Sequence, residues 1–267
     1  MDIIVQDADV AASDISEGSA YTPSDASLRK ITLTALKSGV LAYLTEELLD
    51  DWQLTPQGAD LVVQNMAAVL ARRQDHQIMT GIGGAGKRTG LASELKANNS
   101  GFHITSTLNT QNTITATQLQ QAFDSLSPQY QANAIIVCRQ SALKLLRAIA
   151  TGVQGSHFWV NTFSQVARPA QSIQQVGWLF DKPVYVSNHI ANNYTIGTVI
   201  DANKAAPIYI MDPRAAIGLG DRGQLKVSQS EHFHFDEDEV AYKARNRFDV
   251  QLQFKEAVSV LAYKELP

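Results

Sequence analysis

The chain has 267 residues, of which 45% are hydrophobic, so it can bury a substantial core in one large domain or two ordinary ones. Its 22 Lys and Arg residues are outnumbered by 26 Asp and Glu residues, and the net charge of -4 gives no electrostatic footprint for direct nucleic-acid binding. Charged residues make up only 18% of the chain. This composition favours burial of the surface against further copies of the chain.

The single cysteine, Cys138, lies in the apolar run AIIVC. We interpret it as a core residue, since no histidine is positioned beside it as a base. No intrachain disulfide is possible and no secretory signal is recognised, which predicts a reducing compartment. No apolar run approaches the ~20 residues of a membrane span.

The first forty residues predict a projecting β-hairpin. A short strand is expected within residues 1–11, and a polar stretch rich in turn-forming residues follows it. From Leu28 onward apolar and polar residues alternate, as in a half-buried strand. We therefore expect residues 1–11 to be a short arm or first strand and residues 12–40 to be an extended loop.

Residues 55–79 carry the clearest helix pattern. Thr55 is a good N-cap, Pro56 suits the first helical position and Asp60 places negative charge near the N-terminus. About 24 residues predict a length of ~36 Å, which is long for a compact domain. We expect this helix to be the main rigid element of its domain.

The glycine-rich segment GIGGAGKRTG, residues 81–90, matches the G-x-G-x-x-G spacing and nearly matches a P-loop. Both phosphate-binding patterns require a strand before the glycines and a helix after them. Here the glycines follow a predicted helix, and Arg88 stands where a P-loop needs Ser or Thr. The segment therefore predicts a flexible exit from the long helix, and nucleotide binding is the less favoured alternative.

From residue 115 onward predicted helices and strands alternate. Residues 115–131 read as one helix with Thr117 as a possible cap, and Gly177 and Pro183 indicate a turn before the next strand. The long alternating stretches near the C-terminus predict two or more long strands. The chain is predicted to be an α+β protein.

His232 and His234 are two residues apart and precede a run of carboxylates. In a strand this spacing places both imidazoles on one face, where they could share a metal ion. No third ligand is positioned by spacing, so a solvated hairpin face is favoured over a metal site. Neither a nucleophile elbow nor a zinc-protease helix nor a CxxC pair occurs in the sequence, and we expect no catalytic activity.

Two groups of charged residues are candidates for subunit contacts. Acidic residues cluster between positions 46 and 51, and no apolar neighbours surround them: Glu46, Glu47, Asp50 and Asp51. Lys243, Arg245 and Arg247 occupy alternate positions and so share one face of a strand. We expect the acidic group of one subunit to pair with Arg245 or Arg247 of another.

The order of these features resembles the major capsid protein of tailed bacteriophages, with the Hong Kong 97-type fold. The alternating strand that leads to EELLDD, residues 46–51, resembles the family's extended loop and acidic segment. The helix at 55–79 and its glycine-rich exit resemble the spine helix of that family, with Arg88 in place of the usual proline.

The second half of the chain continues the resemblance. AIIVCRQ, GWLFDKPVYV and ARNRFDVQLQFKEAVSVLAY are similar to the strand and closing segments of the capsid family, in the same order. The family's N-terminal arm is nearly absent, and Asp14 stands where an aromatic or apolar residue is common. The chain is thus expected to be a truncated or a naturally short form.

The resemblance implies a shell subunit with an axial domain of helices around a central sheet at 116–229. It also implies a peripheral domain at 41–115 and 230–267, built on the spine helix and long strands. Such a subunit would form pentamers and hexamers that enclose double-stranded DNA in a virion, after assembly in the host cytoplasm. Scaffold, portal and decoration proteins would be partners, no cofactor is expected, and Lys30 and Lys37 are contact or cross-link candidates. The alternatives are an encapsulin-type compartment and a metal- or nucleotide-dependent enzyme.

Overall fold

The computed structural model describes residues 1–8, 12–17, 19–20, 24–48, 58–84, 86–97, 103–106, 114–152, 159–161, 173–190, 205–230, 232 and 235–264. The helices are α1 (Gly58–Thr80), α2 (Leu91–Ala97), α3 (Ala116–Asp124), α4 (Pro128–Gln131), α5 (Gln140–Gly152) and α6 (Pro213–Ala216), with 3-10 turns at Phe235–Glu237 and Lys255–Ala257. Within these described ranges no helix combines the length and the apolar character that crossing a membrane requires.

The strands fall into three sheets. In chain order they are β1 (Asp2–Ala8), β2 (Ser27–Thr32), β3 (Leu36–Thr45), β4 (His103–Ser106), β5 (Ile135–Cys138), β6 (Trp159–Asn161), β7 (Ile173–Leu179), β8 (Lys182–Ser187), β9 (Ala205–Met211), β10 (Ile217–Asp221), β11 (Lys226–Ser230), β12 (Glu239–Leu252) and β13 (Val258–Lys264). The α+β class predicted from the sequence is confirmed.

The predicted hairpin is formed by β1 and β2, which pair antiparallel from Asp2 opposite Thr32. The alternating stretch after Leu28 is not one strand, because the chain leaves the hairpin at residues 33–35 and enters another sheet as β3. Leu33 is buried there, and the Thr34 N–H donates to Asp249 Oδ2 at 2.7 Å. These contacts attach the base of the hairpin to the body of the protein.

The four-stranded sheet has β12 at its centre, with β3 on one side and β10 and β11 on the other. Its inner face packs on α1 through a cluster that contains Met66, Leu70, Val240, Tyr242 and Ala244. Met66 and Leu70 are four residues apart and therefore share one helix face. The 23 residues of α1 span about 34 Å, while the expected cap Thr55 lies outside the described residues.

The seven-stranded sheet has the order β4-β13-β9-β5-β8-β7-β6 and is covered on both faces. The helices α3 and α5 cover one face, where Leu119, Leu143 and Leu146 are buried against the strands. On the other face Tyr209 and Val260 join Met79 from the end of α1. Burying one such side chain contributes roughly 1.5–3 kcal/mol to stability. Because most of the large buried side chains lie on the two faces of this sheet, they form the main core.

Several local details differ from the sequence expectations. The cap of α3 is Thr115, which forms a capping box with Gln118; Thr117 lies inside the helix, and Pro128 begins a separate short helix. The turn between β7 and β8 lies at Phe180 and Asp181, both at positive φ, as a tight hairpin requires.

Strand pairing also crosses the expected domain limits. β10 and β11, from segment 116–229, pair with β12, whereas β4 and β13, from segments 41–115 and 230–267, join the seven-stranded sheet. The sheets therefore do not coincide with continuous stretches of sequence, because their hydrogen bonds join distant segments.

Candidate functional site

The basic end of the four-stranded sheet gathers cations from separate strands. Arg245 lies opposite Lys226 of β11, and Arg247 lies opposite Lys37 of β3. Directly opposed residues of an antiparallel pair project from the same face. A cleft of about 220 Å³ at this end is lined by Arg222, Gly223, Gln224, Lys226, Arg245, Asn246 and Arg247. The register thus builds a positively charged surface from residues far apart in the sequence.

The alternation expected for β12 agrees with its burial. Lys243 and Arg247 are exposed and Arg245 is half-buried, whereas Ala244 and Phe248 are buried. Among the described residues, no carboxylate lies within ion-pair distance of Arg245 or Arg247.

The acidic end lies at the opposite limit of the same sheet. Glu46 and Glu47 are exposed on a helical turn that follows β3, and the Glu46 N–H donates to the Asp238 carbonyl at 2.9 Å. Asp236 and Glu237 lie on the adjoining 3-10 turn. The candidates Asp50 and Asp51 lie outside the described residues.

The two charged ends cannot meet within one subunit. Thr45 opposite Glu239 marks the acidic end, and Lys37 opposite Arg247 marks the basic end. These pairs are eight residues apart along the strand, or about 26 Å at ~3.3 Å per residue. An ion pair needs a separation near 4 Å, so the charges of the two ends do not pair with each other within one subunit.

The two lysines proposed as contact residues differ in their surroundings. Lys30 on β2 forms an ion pair with Asp2 of β1, with 2.7 Å between Nζ and Oδ2. Lys37 lines a cleft beside α1 and the glycine turn. Lys30 is thus engaged across the hairpin, whereas no ion pair of Lys37 occurs among the described residues.

The glycine segment is a closed turn. The Gly83 N–H donates to the Arg88 carbonyl at 2.9 Å and the Lys87 N–H donates to the Gly84 carbonyl at 3.0 Å, with Gly83 and Gly84 at positive φ. The Gly90 N–H donates to the Gly81 carbonyl at 2.9 Å, after which α2 begins. The expected flexible exit is therefore tied by hydrogen bonds on both sides.

Arg88 is buried, and no local pattern in the sequence predicts this burial. Its Nε donates to the Phe248 carbonyl at 2.9 Å, a terminal nitrogen donates to the Leu36 carbonyl, and the guanidinium carbon lies 3.6 Å from the Phe248 ring centroid. Burial lowers the pKa of the Arg88 guanidinium, while the charge of Asp249 opposes that shift. Arg88 therefore fastens the turn to β3 and β12.

A polar cluster joins α1 to the end of β8. Asp75 is buried, and its Oδ2 lies 3.5 Å from His189 Nε2 and 3.4 Å from Ser187 Oγ. The rings of His76 and His189 are 5.3 Å apart between centroids. Burial lowers the pKa of His76, as do the charges of His189 and Arg73, whereas Asp75 raises it. Sequence spacing offered no signal for this contact.

The metal candidates are His232 and His234, and the predicted core residue is Cys138. β11 ends at Ser230 and His232 lies in an exposed bend, while His234 lies outside the described residues. Over the described ranges no group of three metal-ligating side chains occurs. Cys138 is fully buried, as predicted, and burial raises the pKa of its thiol to about 12.

Comparison with protein families matches residues 1–263 to a family described as the phage capsid family. Comparison with curated proteins finds no match. Among solved structures, the capsid of a native GTA particle is similar, with a TM-score of 0.72 and 17% identity over 99% of this chain and 85% of that chain.

Two other structures show how widely the fold occurs. A chain in the structure of Gordonia phage Cozz gives a TM-score of 0.61 at 17% identity, over 100% of this chain and 81% of its own. The holo-SrpI encapsulin complex from Synechococcus elongatus gives a TM-score of 0.60 at 13% identity, over 91% of this chain and 81% of that chain. These likenesses confirm the predicted Hong Kong 97-type fold. With the family match over almost the whole sequence, the chain belongs to the phage capsid family and is a capsid shell subunit.

Proposed function

We propose that this chain builds the icosahedral capsid of a phage or prophage by assembling with itself into pentamers and hexamers that enclose double-stranded DNA. Assembly takes place in the host cytoplasm, with scaffold, portal and decoration proteins as partners, and the chain has no catalytic activity of its own. In this proposal the axial part is built on the seven-stranded sheet and the peripheral part on α1 and the four-stranded sheet. The hairpin of β1 and β2 reaches a neighbouring copy.

The separation of charge along the four-stranded sheet carries this proposal. The acidic end with Glu46 and Glu47 is about 26 Å from the basic end with Arg245 and Arg247. Neither end can neutralise the other within one subunit, but a second copy placed head to tail brings them together. Head-to-tail contacts use two different surfaces of the subunit and close into rings when the rotation allows. The expected pairing of the acidic group with Arg245 or Arg247 fits this arrangement.

Charge reversal tests the contact. We expect Glu46→Lys with Glu47→Lys to weaken assembly, because like charges then face each other, and Arg245→Glu with Arg247→Glu to do the same. All four changes in one chain restore complementarity and are expected to recover assembly. Negative-stain electron microscopy and sedimentation of the purified proteins measure the outcome. Circular dichroism establishes that each variant is folded.

Asp124→Lys is a matched control, because Asp124 is an exposed carboxylate on α3, which packs on the seven-stranded sheet. It is expected to assemble like the parent chain. If reversal at Glu47 leaves assembly unchanged, the proposed contact is wrong. Persistent monomers of the unaltered chain under all conditions would contradict self-assembly.

The encapsulin likeness supports a second candidate, a compartment that holds a cargo protein in place of a genome. The two candidates differ in their contents. Portal and terminase genes beside the coding sequence, and nuclease-protected DNA in purified particles, favour the phage capsid. A peroxidase or ferritin-like neighbour, with particles that contain protein alone, favours the compartment.

A further inference from the structure

A cleft of about 490 Å³ lies between α1, β3 and the glycine turn. Three cations line it, each from a different element: Lys37 from β3, Arg73 from α1 and Lys87 from the turn. The other lining residues are apolar or neutral apart from the buried Arg88, and the described lining contains no carboxylate. The cleft therefore has a net positive charge, although the chain as a whole has a net charge of -4.

The three cations have no ion-pair partner in the described part of the chain. Lys37, Arg73 and Lys87 are exposed, and the ion pairs of the described residues involve other side chains. Like charges that share a cleft repel one another, and a bound anion relieves that repulsion. The arrangement is typical of a site for a multiply charged anion.

Arg88 holds one wall of this cleft in place. Its hydrogen bonds to the Phe248 and Leu36 carbonyls fasten the turn to two strands, and the preceding residue, Lys87, is exposed. The glycines at positive φ allow that tight reversal. A positioned cation loses less conformational entropy on binding than one on a free loop.

We propose that this cleft binds phosphate groups of the enclosed double-stranded DNA, with Lys37, Arg73 and Lys87 as the cationic contacts. The identity of the nucleic acid rests on the proposed function. The duplex that the proposed shell encloses would present closely spaced phosphate charges to such a cleft. Phosphate contacts hold a duplex without reading its sequence, and no aromatic side chain lines the cleft for base stacking.

The expected affinity follows from counterion release. Three neutralised phosphates give a slope of about -2.7 for log K against log salt. Raising salt from ~50 to ~200 mM is then expected to weaken binding about 40-fold. Each copy contributes one such cleft, so a shell would present many weak contacts.

Fluorescence polarisation of a labelled 20-base-pair duplex, titrated with the purified protein at several salt concentrations, measures this slope. We expect Arg73→Gln with Lys87→Gln to reduce the slope to about -0.9 and to weaken binding at least tenfold at low salt. Arg72→Gln is the matched control, since Arg72 is the neighbouring exposed cation on α1, its Nε donates to Ala68, and it does not line the cleft. This control is expected to keep the parent slope.

Three results would overturn the inference. The first is an unchanged slope in the Arg73 and Lys87 variant, or an equal loss in the Arg72 control. The second is saturable binding of pyrophosphate without binding of duplex at the same ionic strength, which would indicate a site for a small phosphate. The third is displacement of duplex by a peptide of residues 44–51 that binds more tightly, which would assign the cleft to a subunit contact. Electron microscopy of the same samples tests the shell separately, because particles that form without DNA affinity contradict this inference alone.

Discussion

Removing the Arg88 side chain is expected to destabilise the fold more than removing any exposed arginine. Arg88→Ala leaves the carbonyls of Phe248 and Leu36 without their donor and removes the guanidinium from the Phe248 ring. A hydrogen bond from a charged donor contributes about 1.5–3 kcal/mol, and a desolvated cation–π contact about 2 kcal/mol. Water can reach part of the emptied site, so we expect a net loss of about 3–4 kcal/mol.

The assay is urea unfolding of the soluble subunit, followed by tryptophan fluorescence and compared with thermal unfolding. For a chain of this size about 3 kcal/mol corresponds to a decrease in Tm of roughly 6–12 °C. Arg88→Lys keeps the charge but offers a single flexible donor group, and is expected to lose about half as much stability. Arg72→Ala, an exposed position on α1, is expected to change stability by at most ~0.5 kcal/mol.

The reasoning fails if Arg88→Ala and Arg72→Ala unfold at the same urea concentration. It also fails if Arg88→Lys retains full stability, because the fork of the guanidinium would then be unnecessary. A large loss of stability in Arg88→Ala with unchanged protection of the glycine-turn amides in hydrogen exchange would show that the turn is held by other contacts.

Three further predictions concern packing and protonation. Burial lowers the pKa of His76 below 6.5 in the folded state, so the unfolded chain binds more protons as the pH falls past 6.5. The urea concentration at the unfolding midpoint is therefore expected to fall between pH 7 and pH 5. An equal fall in the His76→Gln variant would contradict this origin. Gly90→Ala places a Cβ 2.5 Å from the Gln77 carbonyl oxygen and is expected to lower the free energy of unfolding by about 3 kcal/mol. Gly84→Ala meets no atom within 4 Å and is expected to lower it by about 1 kcal/mol, because its φ is positive. Equal decreases in Tm would refute the distinction. The Cys138 thiol, buried and with its pKa raised to about 12, should react with a disulfide reagent only as fast as the chain unfolds, and rapid labelling of the native protein at pH 8 would contradict its burial.

The proposed contacts link assembly to the internal structure of the subunit. The hydrogen bond from Arg88 to the Leu36 carbonyl ties the glycine turn to the first residue of β3, and the same strand ends beside Glu46. Asp75 and His189 connect α1 to the seven-stranded sheet. A change in either connection would therefore alter how the charged ends are presented to a neighbouring copy.

Local features of the sequence were sufficient for much of the fold. The long helix was predicted within three residues at its N-terminal end and one at its C-terminal end, because apolar residues with helical spacing and Gly81 are local signals. Alternation along residues 240–263 indicated a long strand region, which the structure divides into β12 and β13, and it placed Lys243, Arg245 and Arg247 on one face. The order of these elements was enough to indicate the capsid family.

Contacts between distant segments were decided only by the tertiary structure. The net charge of the chain gave no sign that Lys37, Arg73 and Lys87 share a cleft, because a charge count contains no information on strand register. Arg88 was read as a failed P-loop position, since its partners Leu36 and Phe248 are 52 and 160 residues away. Periodicity determines which side of an element a residue occupies, whereas the pairing of elements determines which charges meet.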